Sequence, residues 1–396
     1  MEIKFVHLAD THLGRRNFKL REREEDFYKA FDNAIEKIIK EKPDFVIHSG
    51  DLFEKASPPI SSILVAMEGL KKLKENNIPL YIIPGNHDLF LNESFISVLH
   101  TIGLLINLTA PEYFLKVGER YIVKGVQEGN CAILGVPGRR SRIKELYNNL
   151  IIKAEGKIKI FVFHHILKEV NAVSGDIPLE WLPKGMDYYA GGHWHFPYEN
   201  YKYRVFYPGS LEYYDVTEMR EPHQKGFFSV SLSEDHLKVK FIPVKTRGIK
   251  YKRIIVDGHS PEEIEKICLD FFKSLEGYQN IAILELEGRL GKGSKRNINK
   301  RKIIEFGLSR GFLHVHINDS KLKDPLPSRK IRKFSLRPLD ELEREYLKER
   351  FTEEELKLAE EILKTLGQEV GGLELEFLKR KLIKRIEETF LSSGQR

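Results

Sequence analysis

Over residues 1 to about 245 the chain alternates short apolar runs with amphipathic stretches, the pattern of strands joined by crossover helices, and so of an α/β fold. From Glu22 onward Phe27, Phe31, Ile35, Ile38 and Ile39 recur at spacings of three and four among charged positions, which predicts a helix lying against a sheet. A second stripe, Ile60, Ile63, Leu64, Met67, Leu70 and Leu73, predicts another helix ahead of a strand at 79–83, and core packing is the ordinary reading of both stripes.

Polar residues punctuate this pattern at one repeated position. Asp10-Thr11-His12 follows FVHLA, Asp51 follows DFVIHSG, Asn86-His87-Asp88 follows PLYIIPG, His164 follows KIFVF, and His193-Trp194-His195 follows DYYAGG. In open α/β sheets the loops beyond the strand carboxyl ends converge on one crevice, so these five segments are expected to meet. Singly, Asp10 or Asp51 could cap a helix and Asn86 could sit in a turn with positive φ. His7, His48, His314 and His316 lie inside apolar runs and read as ordinary strand residues.

Near Thr246 the pattern changes. RIIV, a helix from Ser260, AILELEG, a helix near Lys302 and FLHVHI read as a small βαββαβ-type α+β domain. Ser260-Pro261-Glu262-Glu263 carries the capping-box signature with proline at the first helical position. After Pro338 the chain turns helical: Thr352 and Glu355 form a capping box, Leu356, Ala359, Leu363 and Leu366 a stripe, and Gly367 a stop. Beyond Gly371-Gly372, Leu375, Leu378, Leu382, Ile386 and Phe390 form a further stripe. Three regions follow: 1–245, 246–336 and 337–396.

Composition narrows the function classes. A length of 396 residues exceeds one ordinary domain. Cys131 and Cys268 are the only cysteines, which excludes a disulfide framework or a thiolate zinc site and fits a reducing compartment. The first residues show no targeting pattern and no apolar run approaches the roughly 18 residues of a membrane span, so the cytoplasm of an archaeal or bacterial cell is expected, with no membrane partner. Abundant Lys and Glu lean towards a thermophile. The net charge is +7, yet segment 289–333 alone holds fourteen Lys and Arg against three acids, a local +11 that leaves −4 for the rest. Concentrated basicity of this kind suits a phosphate backbone, and Arg289, Lys292, Lys295, Arg296, Arg301 and Lys302 are the candidate nucleic-acid contacts. The loop GRLGKGSKR at 288–296 lacks the Walker A spacing, so the chain is not expected to hydrolyse ATP.

Hydrolysis of a phosphodiester needs an activated water and neutralisation of charge growing on phosphorus. Two divalent cations roughly 4 Å apart meet both needs, and a carboxylate such as Asp51 is a natural bridge. Imidazole, carboxylate and amide donors suit manganese or zinc. DxH at Asp10 and His12, GD at 50–51, GNHD at 85–88, the histidine at 164 and GHxH at 192–195 resemble the calcineurin-like metallophosphoesterases. That resemblance implies a β-sandwich flanked by helices. It places one metal on Asp10, His12, Asp51 and His195 and a second on Asp51, Asn86, His164 and His193. His87 would act on the transition state or the leaving oxygen, a role imidazole suits near neutral pH. His164 and His165 compete for one ligand position, and Asp88 is expected to support the loop or a histidine.

Within that superfamily DTHLG at 10–14, REEDFYKAF at 23–31, GDLFEKASPP at 50–59, PGNHD, PGS at 208–210 and KGF at 225–227 resemble the double-strand-break repair nucleases called meiotic-recombination-eleven, archaeal above all, and more distantly bacterial SbcD. The resemblance implies a manganese-dependent double-strand exonuclease and single-strand endonuclease with two metals per chain. It also implies a homodimer, and C-terminal helices that dock an SMC-like ABC ATPase of the Rad-fifty type, with 375–390 as the candidate docking helix. Glu54 departs from the pattern, since some members carry histidine there. The alternatives are a phosphatase or cyclic-nucleotide phosphodiesterase on the same scaffold, and a non-catalytic DNA-tethering subunit.

Overall fold

Two six-stranded sheets lie face to face. In spatial order the first comprises Leu237–Val244, Lys225–Leu232, Ile3–Leu8, Phe45–His48, Leu80–Ile82 and Ile106–Asn107. Its last four strands run parallel, and Lys225–Leu232 pairs antiparallel with both Ile3–Leu8 and Leu237–Val244. The second comprises Tyr198–Asn200, Val205–Tyr207, Tyr188–Gly191, Ile158–Phe163, Cys131–Gly135 and Val126–Glu128, with the inner four parallel. These come from a computed structural model of the chain that describes residues 2–89 and 94–326, with Thr352, Glu353, Leu356, Lys357, Glu361, Ile383 and Lys384.

Side-chain alternation assigns the layers. From Ile3–Leu8, Ile3 and Phe5 point into the sandwich with Phe45, Ile47, Ile160 and Val162, whereas Val6 and Leu8 face the helices. Phe161 and Phe163, on the far face of the second sheet, pack under Tyr121, Val123 and Leu146. Every parallel strand is therefore covered on both sides, and the polar loops gather at the strands' carboxyl ends. The fold is the expected β-sandwich flanked by helices.

The helix expected from Glu22 spans Arg21–Glu41 and buries Phe27, Phe31, Ile35 and Ile38. The second, Ile60–Glu75, departs from its expected packing. Ser62, Ala66, Gly69, Leu70 and Leu73 are buried, while Ile60 and Leu64 stand 76% and 61% exposed. Small residues let the helix approach Arg21–Glu41 closely, which turns the larger side chains of its stripe outward.

Arg23 ties these elements together. Its side chain is fully buried, with Asp26 at 2.6 Å, Glu212 at 3.2 Å and the Tyr213 carbonyl at 3.1 Å. Asp26 in turn accepts a forked pair from Arg247 at 2.6 and 2.7 Å. Removing one partner leaves buried charge unpaired, so Arg23→Ala is expected to cost about 3–5 kcal/mol in a urea unfolding titration. A loss below about 1 kcal/mol, the usual worth of a surface pair, would contradict this reading.

Residues Ile249–Ile255, Ile281–Arg289 and His314–Lys323 form an all-parallel three-stranded sheet. With Pro261–Lys273 and Lys300–Ser309 between them the order is βαβαβ, not the βαββαβ read from the sequence. Each apolar run there is one long strand, and right-handed crossovers between neighbouring parallel strands put both helices on one face. Ser260 caps the first helix and Glu263 completes the box. Ala282, Leu284 and Leu286 pack on the helices; Ile281 and Ile283 face Tyr213 and Met219. Met1–Pro325 is one compact unit and Leu326–Arg396 a second. Within the second, Leu356 N donates to Thr352 O at 3.0 Å, a helical step. Glu355, Ala359, Leu363, Leu366, Gly367 and the stripe from Leu375 to Phe390 lie outside the described residues.

Candidate active site

The loops after Ile3–Leu8, Phe45–His48, Leu80–Ile82, Ile158–Phe163 and Tyr188–Gly191 carry Asp10 and His12, Asp51, Asn86 and His87, His164, and His193 and His195. Asp10, His12, Asp51 and His193 all adopt positive φ, at 52°, 44°, 57° and 79°. Asp and His are among the residue types that tolerate this region best, so backbone demand and ligand chemistry coincide. Gly85 has a plain steric reason: a Cβ there would lie 2.1 Å from Asp51 Oδ1.

Three clusters of donors result among the described residues, of which His12, Glu54 and His87 make up one and the other two hold the predicted ligands. Asp10, His12 and His195 form one: His12 Nε2 lies 3.2 Å from His195 Nε2, and His195 Nε2 lies 3.6 Å from Asp10 Oδ1. Asp51, His164 and His193 form the other: His164 Nε2 lies 3.2 Å from Asp51 Oδ2 and 3.2 Å from Asn86 Oδ1. Asp51 Oδ2 also lies 3.8 Å from His12 Nε2, which places this carboxylate between the groups. That oxygen is buried and accepts no hydrogen bond among the described residues. A desolvated acceptor without a partner is costly, and a cation shared by both groups would satisfy it.

The second nitrogen of two candidate ligands, His164 and His195, is occupied by the fold. His164 Nδ1 donates to Ser49 O at 2.7 Å and His195 Nδ1 to Glu218 Oε1 at 2.7 Å. Both then present Nε2, the arrangement that orients an imidazole ligand. His12 Nδ1 lies 3.1 Å from Glu54 Oε2, off the line of a hydrogen bond. Glu54 is held by Arg15 at 2.8 Å, and its carbonyl accepts from His87 Nδ1 at 2.9 Å, leaving His87 Nε2 without a hydrogen bond among the described residues. His87 N donates to Asp51 Oδ1 at 2.8 Å.

Electrostatics match a cation site. Burial lowers the basicity of His164 and His195, but Asp51 and Glu218 respectively outweigh it, raising them to about 9 and about 10. Despite burial, the neighbouring imidazoles hold Asp10 and Asp51 below the usual carboxylate range. Burial takes His193 down to about 4. Asp88, raised to about 7 by burial and by Asp51, accepts from the Leu52, Phe53 and Gly85 amides and so braces two of the loops.

Of the two adjacent histidines, His164 points into the site; His165 accepts from Arg139 N at 3.2 Å and meets Tyr147 Oη at 3.0 Å. Of the six basic candidates, Arg289 ends the strand Ile281–Arg289, Lys292, Lys295 and Arg296 lie in the segment after it, and Arg301 and Lys302 lie on the helix Lys300–Ser309. Arg289 donates to Asp324 O and Lys295 to Leu322 O, Arg301 pairs with Glu305, and Lys302 with Glu265. Lys292 and Arg296 have no ion pair among the described residues. Sequence reasoning missed Glu218, Ser210 and Tyr214. Lys225, from KGF, bonds Glu218, Ser210 Oγ of PGS at 2.8 Å and His195 O at 3.0 Å, so those motifs held the only signal. Tyr214, whose ring centre is 4.4 Å from that of His12, walls the site and left no motif. Glu218→Gln keeps an acceptor but removes the charge behind His195; a 10- to 100-fold loss of manganese affinity by titration calorimetry is expected.

Residues 3–197 match the calcineurin-like phosphoesterases, so fold and site define a phosphoesterase of a class that works with divalent metal ions. The chain is 33% identical over 290 residues to the DNA double-strand break repair protein Mre11 of Methanococcus maripaludis, covering 70% of this chain and 74% of that one. It is 31% identical over 337 residues to the Mre11 of Sulfurisphaera tokodaii, covering 81% and 82%. With that of Archaeoglobus fulgidus it shares 29% over 388 residues, covering 90% and 80%. The chain belongs to the Mre11 family. Among the described residues no helix is long and apolar enough to cross a membrane.

Proposed function

We propose that the chain is a two-metal, manganese-dependent DNA nuclease, a double-strand exonuclease and single-strand endonuclease that processes DNA ends in double-strand-break repair. The observation that carries the reading is Asp51 Oδ2, buried between two groups of competent donors and without a hydrogen bond among the described residues. One cation would be held by Asp10, His12, Asp51 and His195, the other by Asp51, Asn86, His164 and His193. When bound, the pair supplies activation of water and neutralises charge at phosphorus. His87, anchored through Nδ1 to the Glu54 carbonyl, presents Nε2 to protonate the leaving oxygen. The basic residues of 289–302 would grip duplex backbone, with Lys292 and Arg296 the first candidates because they carry no ion pair among the described residues.

Exposed Ile60 and Leu64, with Val98 and Ile102 at 48% and 50% exposed, support self-association through helices Ile60–Glu75 and Phe95–Thr101. Docking of an SMC-like ATPase rests on the apolar stripe at 375–390 of the sequence.

A manganese-dependent digest of linear duplex and single-stranded DNA tests the assignment. His87→Ser is expected to slow it by about 10²- to 10⁴-fold, the usual worth of a general acid. Equal digestion by both proteins would remove His87 from the chemistry. Full activity of Lys292→Glu/Lys295→Glu/Arg296→Glu on long DNA, with comparable turnover of small phosphoesters, would favour the phosphatase reading.

A further inference from the structure

A groove of about 980 Å³ opens beside the donor groups, with Asn86 and His87 in its lining. Lys55, Lys116, Arg139, Arg140 and Arg142 also line it, against Glu54 as the sole carboxylate, and Glu54 is committed to Arg15. Arg142 pairs with Glu145; the other four cations make no ion pair among the described residues. This charge was invisible in the count along the chain, because its contributors come from three separate segments.

The groove is fastened to the ligand loops. Gly138 N donates to Pro84 O at 2.9 Å, and a Cβ on Gly138 would lie 2.9 Å from both Asn86 N and His164 Cδ2, so only glycine lets this loop seat there. The next residue, Arg139, has its amide held by His165, the neighbour of His164 in sequence. Its guanidinium donates to Tyr121 Oη at 3.1 Å and lies 4.9 Å from the centre of that ring. On the same wall Phe114, half-buried, stacks on Tyr121 at 5.7 Å and 24°. Fixed cations beside an aromatic surface are the elements that bind unpaired nucleic acid, where backbone tracks charge and a base stacks.

We propose that this groove binds a single nucleic-acid strand and leads it to Asn86 and His87, a subsite separate from the basic segment at 289–302. The assignment rests on the nuclease reading for its purpose but not for its test. The full-length protein is titrated in EDTA with a labelled oligothymidine and with a blunt hairpin duplex. Lys116→Glu/Arg140→Glu, at two exposed positions, is expected to weaken oligothymidine binding about tenfold or more and to reduce its salt slope by roughly 1.4, about 0.7 per lost phosphate contact. Duplex affinity should change less than about twofold by the same reasoning. Phe114→Leu should cost the single strand roughly fivefold or more, with its salt slope intact, because stacking rather than charge is lost. Unchanged oligothymidine binding by the double variant overturns the proposal, and so does equal weakening of the duplex. A flat response to Phe114→Leu also overturns it, leaving a phosphate-only surface. Manganese-dependent digestion of linear duplex DNA by the wild type reports the nuclease reading alone; its absence would remove that reading while the binding comparison still decided the groove.

Discussion

Asp51→Ala is expected to lower phosphodiester turnover on the order of 10³-fold, because paired cations supply several kcal/mol at the transition state and each factor of ten is about 1.4 kcal/mol. The size follows from position. Asp51 Oδ2 lies 3.2 Å from His164 Nε2 and 3.8 Å from His12 Nε2, so truncation removes a donor from both groups. It also frees the His87 amide, which Oδ1 accepts at 2.8 Å. Asp51→Asn, which keeps the shape and loses the charge, should fail nearly as badly. Turnover of bis(p-nitrophenyl) phosphate in manganese, with bound metal counted by plasma mass spectrometry, decides the matter. Wild-type turnover with undiminished stoichiometry would refute the shared carboxylate.

Loading with manganese at pH 7.5 is expected to release about two protons per chain, since ligands must shed protons to bind. His164 and His195, raised to about 9 and about 10 chiefly by Asp51 and Glu218 against the effect of burial, hold protons at that pH where a cation needs lone pairs. His193, lowered to about 4 by burial, is already neutral and contributes none. The sign is set by the raised groups: apparent affinity climbs with pH at a slope approaching about 2 below pH 9, flattens between 9 and 10, and levels above. Calorimetry in buffers of differing ionisation enthalpy counts the protons directly. Zero release at pH 7.5 would contradict the charge state described for these two imidazoles.

Much of this was legible because apolar runs ending in Asp, Asn or His report both a strand and what its carboxyl end carries. FVHLAD and KIFVFH announce element and side chain together. The choice of His164 over His165 rested on the family resemblance and not on local pattern, since it depends on which neighbour faces Tyr147 and which faces Asp51. The positive φ that sequence reasoning considered for Asn86 belongs instead to Asp10, His12, Asp51 and His193, because convergence of the loops sets the backbone there. Glu218 acts through a fold that brings it 2.7 Å from His195, a contact no local pattern encodes. Helical periodicity alone could not show that Ile60 and Leu64 face outward, because it reports a stripe but not whether small residues beside it make the closer seam.

Asp10, His12, Asp51 and His193, the candidate ligands with positive φ, are strained at the backbone. A left-handed L-residue sits about 1–2 kcal/mol above its relaxed state, so these four turns are loaded springs held in a stiff frame. Evolution of this protein towards greater ruggedness would find easy gains by letting those four positions relax, and each gain would dismantle the chemistry. Tolerance to heat and catalytic competence thus compete at the same four peptide units.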